Sequence, residues 1–514
     1  MPLFLFFVNS VFILAQYFNL YTILYKLKIE EVAQKMATFI IELPIVVAPE
    51  QIKGLNKRFD CARHVYNNTL ADINKLYEQM CNAKEYKSLF EQLDKCDKDK
   101  QPDEHKHIWS QINAIRKAWG FSKYDFEKLL NKHRYYYKAL IDSTTGQKLA
   151  SRLWDAWSAF FYENGKSVHF KKYGTVNSLE GKSNATGPRF INNKLIWGKK
   201  SYPVVIETQY ETDALQGDIR YTRVVRRIVR SKYKFYLQVV LDGEFPQKAN
   251  RQLGNGRVGV DIGVSTIAMV SNDQAILKEL PHSENLYKEE KALLQQALDR
   301  SRRINNPNNY NDDGTNKKGR HKWNYSKRYN KLLLQLKELQ RKAKAVRKYK
   351  SHCLLNELLR LGDTFLVEDM VFKTMQERKE VEIQKDGTTQ TEHHKNQGAT
   401  IEKYAPADFV DMLKHKLNEA NGELIKVNTY KVKASQYNHI DNTYVKKDLT
   451  DRWNLLNEKL IQRDLYSAYL LMHVYKNKIN RDECIQDFDN FVKLHDEMID
   501  ILKQNTHNPS CMGI

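Results

Sequence analysis

Cysteine is the first scarcity that constrains this chain. Six are scattered through 514 residues, at 61, 81, 96, 353, 484 and 511, and no two form a Cys-x-x-Cys pair. That spacing argues against a disulfide framework and a cysteine zinc site, and it fits a reducing cytoplasm. Acidic residues are also short, with 62 Asp+Glu facing 83 Lys+Arg for a formal net charge of +21. An excess of that size is the electrostatic footprint of a nucleic-acid binder, since phosphate neutralisation dominates such affinities. A merely solvated basic surface is the plainer alternative. Internal repeats and extended low-complexity tracts are missing too, and 41% apolar against 28% charged residues describe a globular chain. Its length allows two to four domains with sizeable cores.

Leu3 to Leu24 is mostly apolar, interrupted by Asn9, Ser10, Gln16 and Asn19. Such a run could span a bilayer or imitate a signal peptide. No basic segment precedes it, however, and no small-residue cleavage site follows. Met36 then opens a well-patterned segment, Met-Ala-Thr-Phe-Ile-Ile-Glu-Leu. Residues 1–35 are therefore expected to be a non-native extension from an upstream start, not a membrane anchor.

From Thr38 to Val47 the pattern is that of a strand, and Pro49, Glu50 and Gln51 open a helix. Residues 70–167 are helical by period and poor in glycine, and their aromatics suit a helical core. A basic aromatic loop follows at Val168-His-Phe-Lys-Lys-Tyr-Gly174. Residues 189–246 alternate instead. Tyr221 to Val229 and Tyr233 to Leu241 predict antiparallel strands with a turn at Ser231-Lys232. Residues 36–69 and 168–250 together predict a small β-barrel, interrupted by the helical insertion.

The next unit, 251–475, starts at Val258-Gly-Val-Asp-Ile-Gly-Val-Ser-Thr-Ile-Ala268, a buried apolar strand carrying one carboxylate, Asp261. A second apolar run, Ile267 to Val270, predicts a hairpin partner. A buried carboxylate is costly unless it is paired or holds a metal, although Asp261 alone also suits a turn before glycine. Residues 285–361 predict long basic helices broken by a loop at Asn305 to Gly314. Between Ser301 and Lys350 sixteen Lys+Arg meet three Asp+Glu. Arg302, Arg303, Lys317, Lys318, Arg320, Lys327, Arg328, Arg341 and Lys342 are the candidate nucleic-acid contacts here. Gln376 to Ile401 is polar, without apolar period, and is expected to be mobile or to order only with a ligand.

Asp363-Thr-Phe-Leu-Val-Glu-Asp-Met-Val371 is a second short apolar strand, delivering Glu368 and Asp369 at its end. Glu423 to Val432 contains a third strand. Ile461-Gln-Arg-Asp-Leu-Tyr-Ser-Ala468 starts a helix with Asp464 in its first turn, where the helix dipole favours an acid. Asp261, Glu368 and Asp464 can converge at one edge of a mixed sheet. Such a cluster repels itself unless a divalent metal neutralises it, and hard carboxylates suit magnesium or manganese. Two ions about 4 Å apart stabilise the attacking and leaving oxygens of a phosphodiester displacement.

Val258 to Ala268, Phe365-Leu-Val-Glu-Asp-Met370 and Arg463-Asp-Leu-Tyr-Ser-Ala468 resemble, in order, the three RuvC motifs of the TnpB (OrfB) proteins of insertion sequences. These are RNA-guided DNA nucleases related to type V CRISPR effectors. Met36 to Leu70 is similar to the family's start, with Pro44, Glu50-Gln51, Arg63 and Tyr66-Asn67 in place, and the resemblance spans roughly 36–475. It implies an α/β multidomain chain: an RNase H-like RuvC domain at 251–475, a wedge domain in the β-barrel and a recognition domain in the helical insertion. It implies Asp261, Glu368 and Asp464 as catalytic metal ligands for Mg2+ or Mn2+, and a guide RNA and double-stranded DNA as partners. A cytoplasmic, nucleoid-associated protein follows from the same likeness.

One departure from the family stands out. Its members carry a four-cysteine zinc ribbon before the last acid, whereas Tyr437 to Gln462 contains no cysteine. Zinc is not expected, His439 suits a structural or phosphate-contacting role, and packing must hold the loop. Residues 476–514 add a long helical tail. Two other readings remain. A nucleic-acid-binding regulator that has lost cleavage is opposed by the presence of all three acids. An actin-like sugar kinase needs a second Asp-x-Gly phosphate motif, which is missing.

Overall fold

A computed structural model describes residues 38–163, 165–243, 246, 252–283, 286–377, 380–385, 388–393, 397–448, 451–505 and 508–514. The apolar extension at 1–35 lies outside them. Among the described residues no helix is long and apolar enough to cross a membrane. The chain is a mixed α/β, multidomain protein with two compact units that divide at Pro246 and Gln247.

In the first unit, β1 (Thr38–Ile45) alternates exposed and buried residues and pairs antiparallel with β7 (Lys232–Asp242), Phe39 opposite Leu241 and Leu43 opposite Leu237. Nearly 200 residues of sequence separate these partners, so the period-2 pattern and not proximity sets the register. β6 (Asp218–Val229) joins β7 through a hairpin whose turn residues, Arg230 and Ser231, both have positive φ, one residue earlier than the sequence predicts. The sheet runs β1-β7-β6-β2, with β2 at Ser178–Glu180, and a separate meander runs β3 (Pro188–Ile191), β4 (Lys194–Trp197) and β5 (Lys200–Pro203). The strands form these two sheets, which meet at the bridge between Ile45 and Val204.

Between β1 and β2 come α1 (Pro49–Asn82), α2 (Lys84–Lys95), α3 (Pro102–Ala118), α4 (Lys123–Arg134) and α5 (Ser143–Tyr162). Leu55, Phe59, Ala62 and Val65 of α1 face the β1-β7 core, and Leu70, Ile73 and Met80 face a second core shared with Phe121, Phe126 and Trp157. One helix thus stitches both cores. Asp142 caps α5 by accepting from Thr145 N (2.8 Å) and also accepts from Trp197 Nε1 (3.0 Å), tying helix to meander.

The second unit holds a five-stranded sheet ordered β10-β9-β8-β11-β14, with β8 at Arg257–Ile262, β9 at Thr266–Val270, β10 at Ala275–Glu279, β11 at Thr364–Glu368 and β14 at Glu423–Val427. The first three strands run antiparallel, whereas β11 lies parallel to both β8 and β14. Buried parallel strands are continuously apolar, which is why Val258, Val260, Phe365, Leu366 and Val367 could be recognised from sequence. Helices α6 (Lys288–Asn305) and α7 (Lys327–Leu358) fill the connection between β10 and β11. The segment between them runs from 306 to 326, longer than expected, because Asn306 folds back to accept from Asn324 N (2.6 Å) and donate to Asn324 O (2.9 Å).

The segment expected to be an unordered polar linker is instead a hairpin, β12 (Glu380–Lys385) with β13 (Thr388–His393), followed by α8 (Gly398–Tyr404) and α9 (Pro406–Asn418). Alternating Val381, Ile383 and Thr residues supply strand propensity that the polar composition conceals.

Candidate nuclease site

The site is built at the end of β8, where Gly259 decides the geometry. A Cβ at this position would lie 1.8 Å from the Ala468 carbonyl oxygen and 2.5 Å from Met472 N, so helix α10 (Arg463–Met472) rests directly on the strand. Asp261, two residues along, shares the face of Gly259, and Asp464, four residues before Ala468, shares that helix face. Close packing at the glycine therefore carries the two acids toward each other. Glu368 ends β11, the parallel neighbour of β8, and pairs across to Val427. Three segments far apart in sequence thus bring acids to one end of the sheet's central strands.

Asp261 feels the other two carboxylates. Burial pushes the Asp261 carboxyl well above the usual carboxylate range, and Asp464 and then Glu368 push it further. Arg463 opposes this, as does Ser467, although Ser467 Oγ is buried and makes no hydrogen bond of good geometry. Burial also raises Glu368. All three acids keep part of their surface open, so desolvation and access coexist. As they stand, no three His, Cys, Asp or Glu among the described residues are arranged to hold a metal ion. Asp369, adjacent to Glu368, points elsewhere and pairs with Lys426 Nζ at 2.8 Å.

Asp464 sits in a frame that sequence reasoning did not find. Gln462 caps α10 by accepting from Leu465 N (2.8 Å), and its Nε2 donates to Asp464 Oδ2 (3.3 Å). Arg463 Nε lies 4.0 Å from Asp464 Oδ1, while its Nη1 donates to the carbonyls of Asp448 (3.0 Å) and Asp451 (3.2 Å). Glutamine is not a favoured cap, so nothing local marked it. A glycine inside an apolar strand, by contrast, was a readable sign of close approach.

His439 is a structural residue here. It is buried, its Nδ1 lies 2.6 Å from the Tyr466 hydroxyl, and burial pushes its pKa down to about 4. The surrounding loop is fastened by Tyr437 OH donating to Asn442 Oδ1 (2.9 Å), Arg481 Nε donating to His439 O (2.7 Å) and Trp453 Nε1 donating to Gly513 O (2.9 Å).

The nine basic candidates divide. Lys317, Lys318 and Arg320 lie exposed in the 306–326 segment, and Lys327 and Arg328 lie exposed in the first turn of α7. Arg302 pairs with Asp299 (2.9 Å) and sits over the Trp323 ring, and Arg303 sits over Tyr310. Arg341 is clasped by both oxygens of Glu338 (2.7 and 2.9 Å), and Lys342 lies over Tyr287. Arg303 is exposed as well, so six of the nine present their side chains to solvent.

Residues 46–81 match a family described as a helix-turn-helix domain, HTH_OrfB_IS605. That stretch is what the chain shares with the TnpB/OrfB family. In this structure the matched stretch is occupied almost wholly by one continuous helix, α1, with the first break at Ala83. No curated protein sequence matches the chain. Among solved structures, a Cas12f1–sgRNA–target DNA complex seen by cryo-EM aligns over 84% of this chain and 98% of its own, at 13% identity and a TM-score of 0.44. A CRISPR-Cas12f ternary complex aligns over 85% and 84%, at 12% identity and a TM-score of 0.24.

Proposed function

We propose that the chain is a transposon-associated, RNA-guided DNA endonuclease in which Asp261, Glu368 and Asp464 hold the catalytic divalent ions. One observation carries the reading: Asp261 is buried where β8, β11 and α10 meet, and burial first, then the carboxylates of Asp464 and Glu368, raise its proton affinity. Self-repulsion of this kind is a cost to folding that a bound cation relieves. The sheet order supports an RNase H-like (RuvC) domain, with three antiparallel strands followed by two parallel to the first. The match at residues 46–81 supports the transposon-family part.

The donor set fits magnesium or manganese. It is all oxygen, partly open to solvent, and flanked by the orphaned Ser467 hydroxyl. Bound there, such an ion supplies Lewis-acid polarisation of a phosphodiester. The chain's own residues do the rest. Gly259 and Ala468 fix the spacing of strand and helix, and Arg463 limits the negative charge. Lys317, Lys318, Arg320, Lys327 and Arg328 contribute sequence-independent contacts to a nucleic-acid backbone.

A second reading, a nucleic-acid-binding regulator that does not cut, draws on the acids not being arranged to chelate one ion as they stand. The two separate in one experiment. The full chain, expressed with its flanking non-coding RNA and purified natively, is expected to retain that RNA and to cut a matching plasmid in magnesium. RNA retention without cutting favours the regulator, and absence of RNA contradicts the guided nuclease.

A further inference from the structure

The C-terminal tail makes a second connection to the acid cluster, through Gln462. This residue is fully buried, and its amide oxygen, amide nitrogen and backbone N–H all have partners. Its Oε1 caps α10 at Leu465 N (2.8 Å), while its Nε2 is shared between Asp464 Oδ2 and the Met512 carbonyl, each at 3.3 Å. Its backbone N–H donates to His495 Nε2 at 2.9 Å. His495, on α11 (Arg481–Gln504), is itself buried and is oriented by Asp496, whose Oδ1 lies 2.8 Å from Nδ1. That arrangement leaves Nε2 as the acceptor, so the tail reads the position of Gln462 through one specific ring nitrogen.

We propose that Gln462 is a positioning residue for Asp464, and that the C-terminal tail holds it in place through His495 and the Met512 carbonyl. The inference rests on Asp464 being a metal ligand. Partners of a ligating carboxylate fix its orientation, and their loss commonly weakens metal binding by about 10–100-fold. Helix capping alone does not explain the geometry. A shorter Thr would cap α10, yet only an amide of this length also reaches Asp464 and the tail.

The test uses the full chain and follows Mn2+ uptake by the EPR signal of the free ion, beside thermal melting without metal. Gln462→Thr keeps a cap, so its melting point is expected to stay close to that of the parent while Mn2+ binding weakens at least 10-fold. His495→Leu is expected to weaken binding in the same direction, and His495→Gln, which restores an acceptor, to recover most of it. Parent-like binding in Gln462→Thr, or equal defects in His495→Leu and His495→Gln, would overturn the positioning role alone. Asp464→Asn separates the two levels: if it binds Mn2+ as the parent does, Asp464 is no ligand, and both the site reading and this inference fall.

Discussion

At the residue scale, the second unit uses buried polar groups in two opposite ways. Asp261 is buried among like charges and pays in proton affinity, whereas His439 is buried with a hydroxyl partner and stays neutral. The histidine has a definite pH consequence. Its folded pKa, about 4, lies below the ordinary 6.5, so the folded state binds this proton less well than the unfolded chain. Its contribution is fully present above pH 6.5 and is lost as pH falls through about 4. Urea unfolding of the second unit should therefore weaken from pH 6.5 to 4, and His439→Asn should flatten that slope. An unchanged slope in the variant would assign the acid sensitivity to other groups.

At the element scale, the decisive contact is helix α10 on strand β8. Gly259→Ala would drive a methyl into the Ala468 carbonyl, backbone that cannot rotate away. A loss of about 3 kcal/mol is expected, the upper end of ordinary overpacking costs, measured as a shift in the urea midpoint. An Ala variant of parental stability would mean that helix and strand stand further apart. Elements of this kind were legible in the sequence where burial makes a pattern: β8, β9 and β11 are short apolar runs, and acids at their ends stand out. The hairpin at 380–393 was hidden because its strand propensity sits in a polar stretch. Gln462 and His495 were hidden for another reason. They are 33 residues apart, and their partnership exists only once α11 packs back on the start of α10.

At the scale of the whole molecule, a formal charge of +21 should make the proposed nucleic-acid binding strongly salt dependent. Each phosphate contact contributes roughly 0.9 to the slope of log affinity against log salt for duplex DNA. Replacing Lys317, Lys318 and Arg320 together with Ala should reduce that slope by about 2–3, with weakening that does not depend on sequence. Arg341→Ala should change it much less, since Glu338 already holds that guanidinium. Equal effects from both would show that the exposed loop has no special role. The charge was readable from composition alone, but its division between solvent and internal carboxylates was not. Arg341 and Lys327 look alike in sequence, and only the helix packing separates them.

Plasmid cleavage decides whether the acid cluster around Asp261 cuts DNA. The RNA-loaded full chain should nick or linearise a matching plasmid in magnesium, and Asp261→Ala, with RNA still bound, should lose at least about 100-fold in rate, the scale of removing a major electrostatic group from an active site. Cleavage that persists in Asp261→Ala at the parental rate would place the cutting site elsewhere.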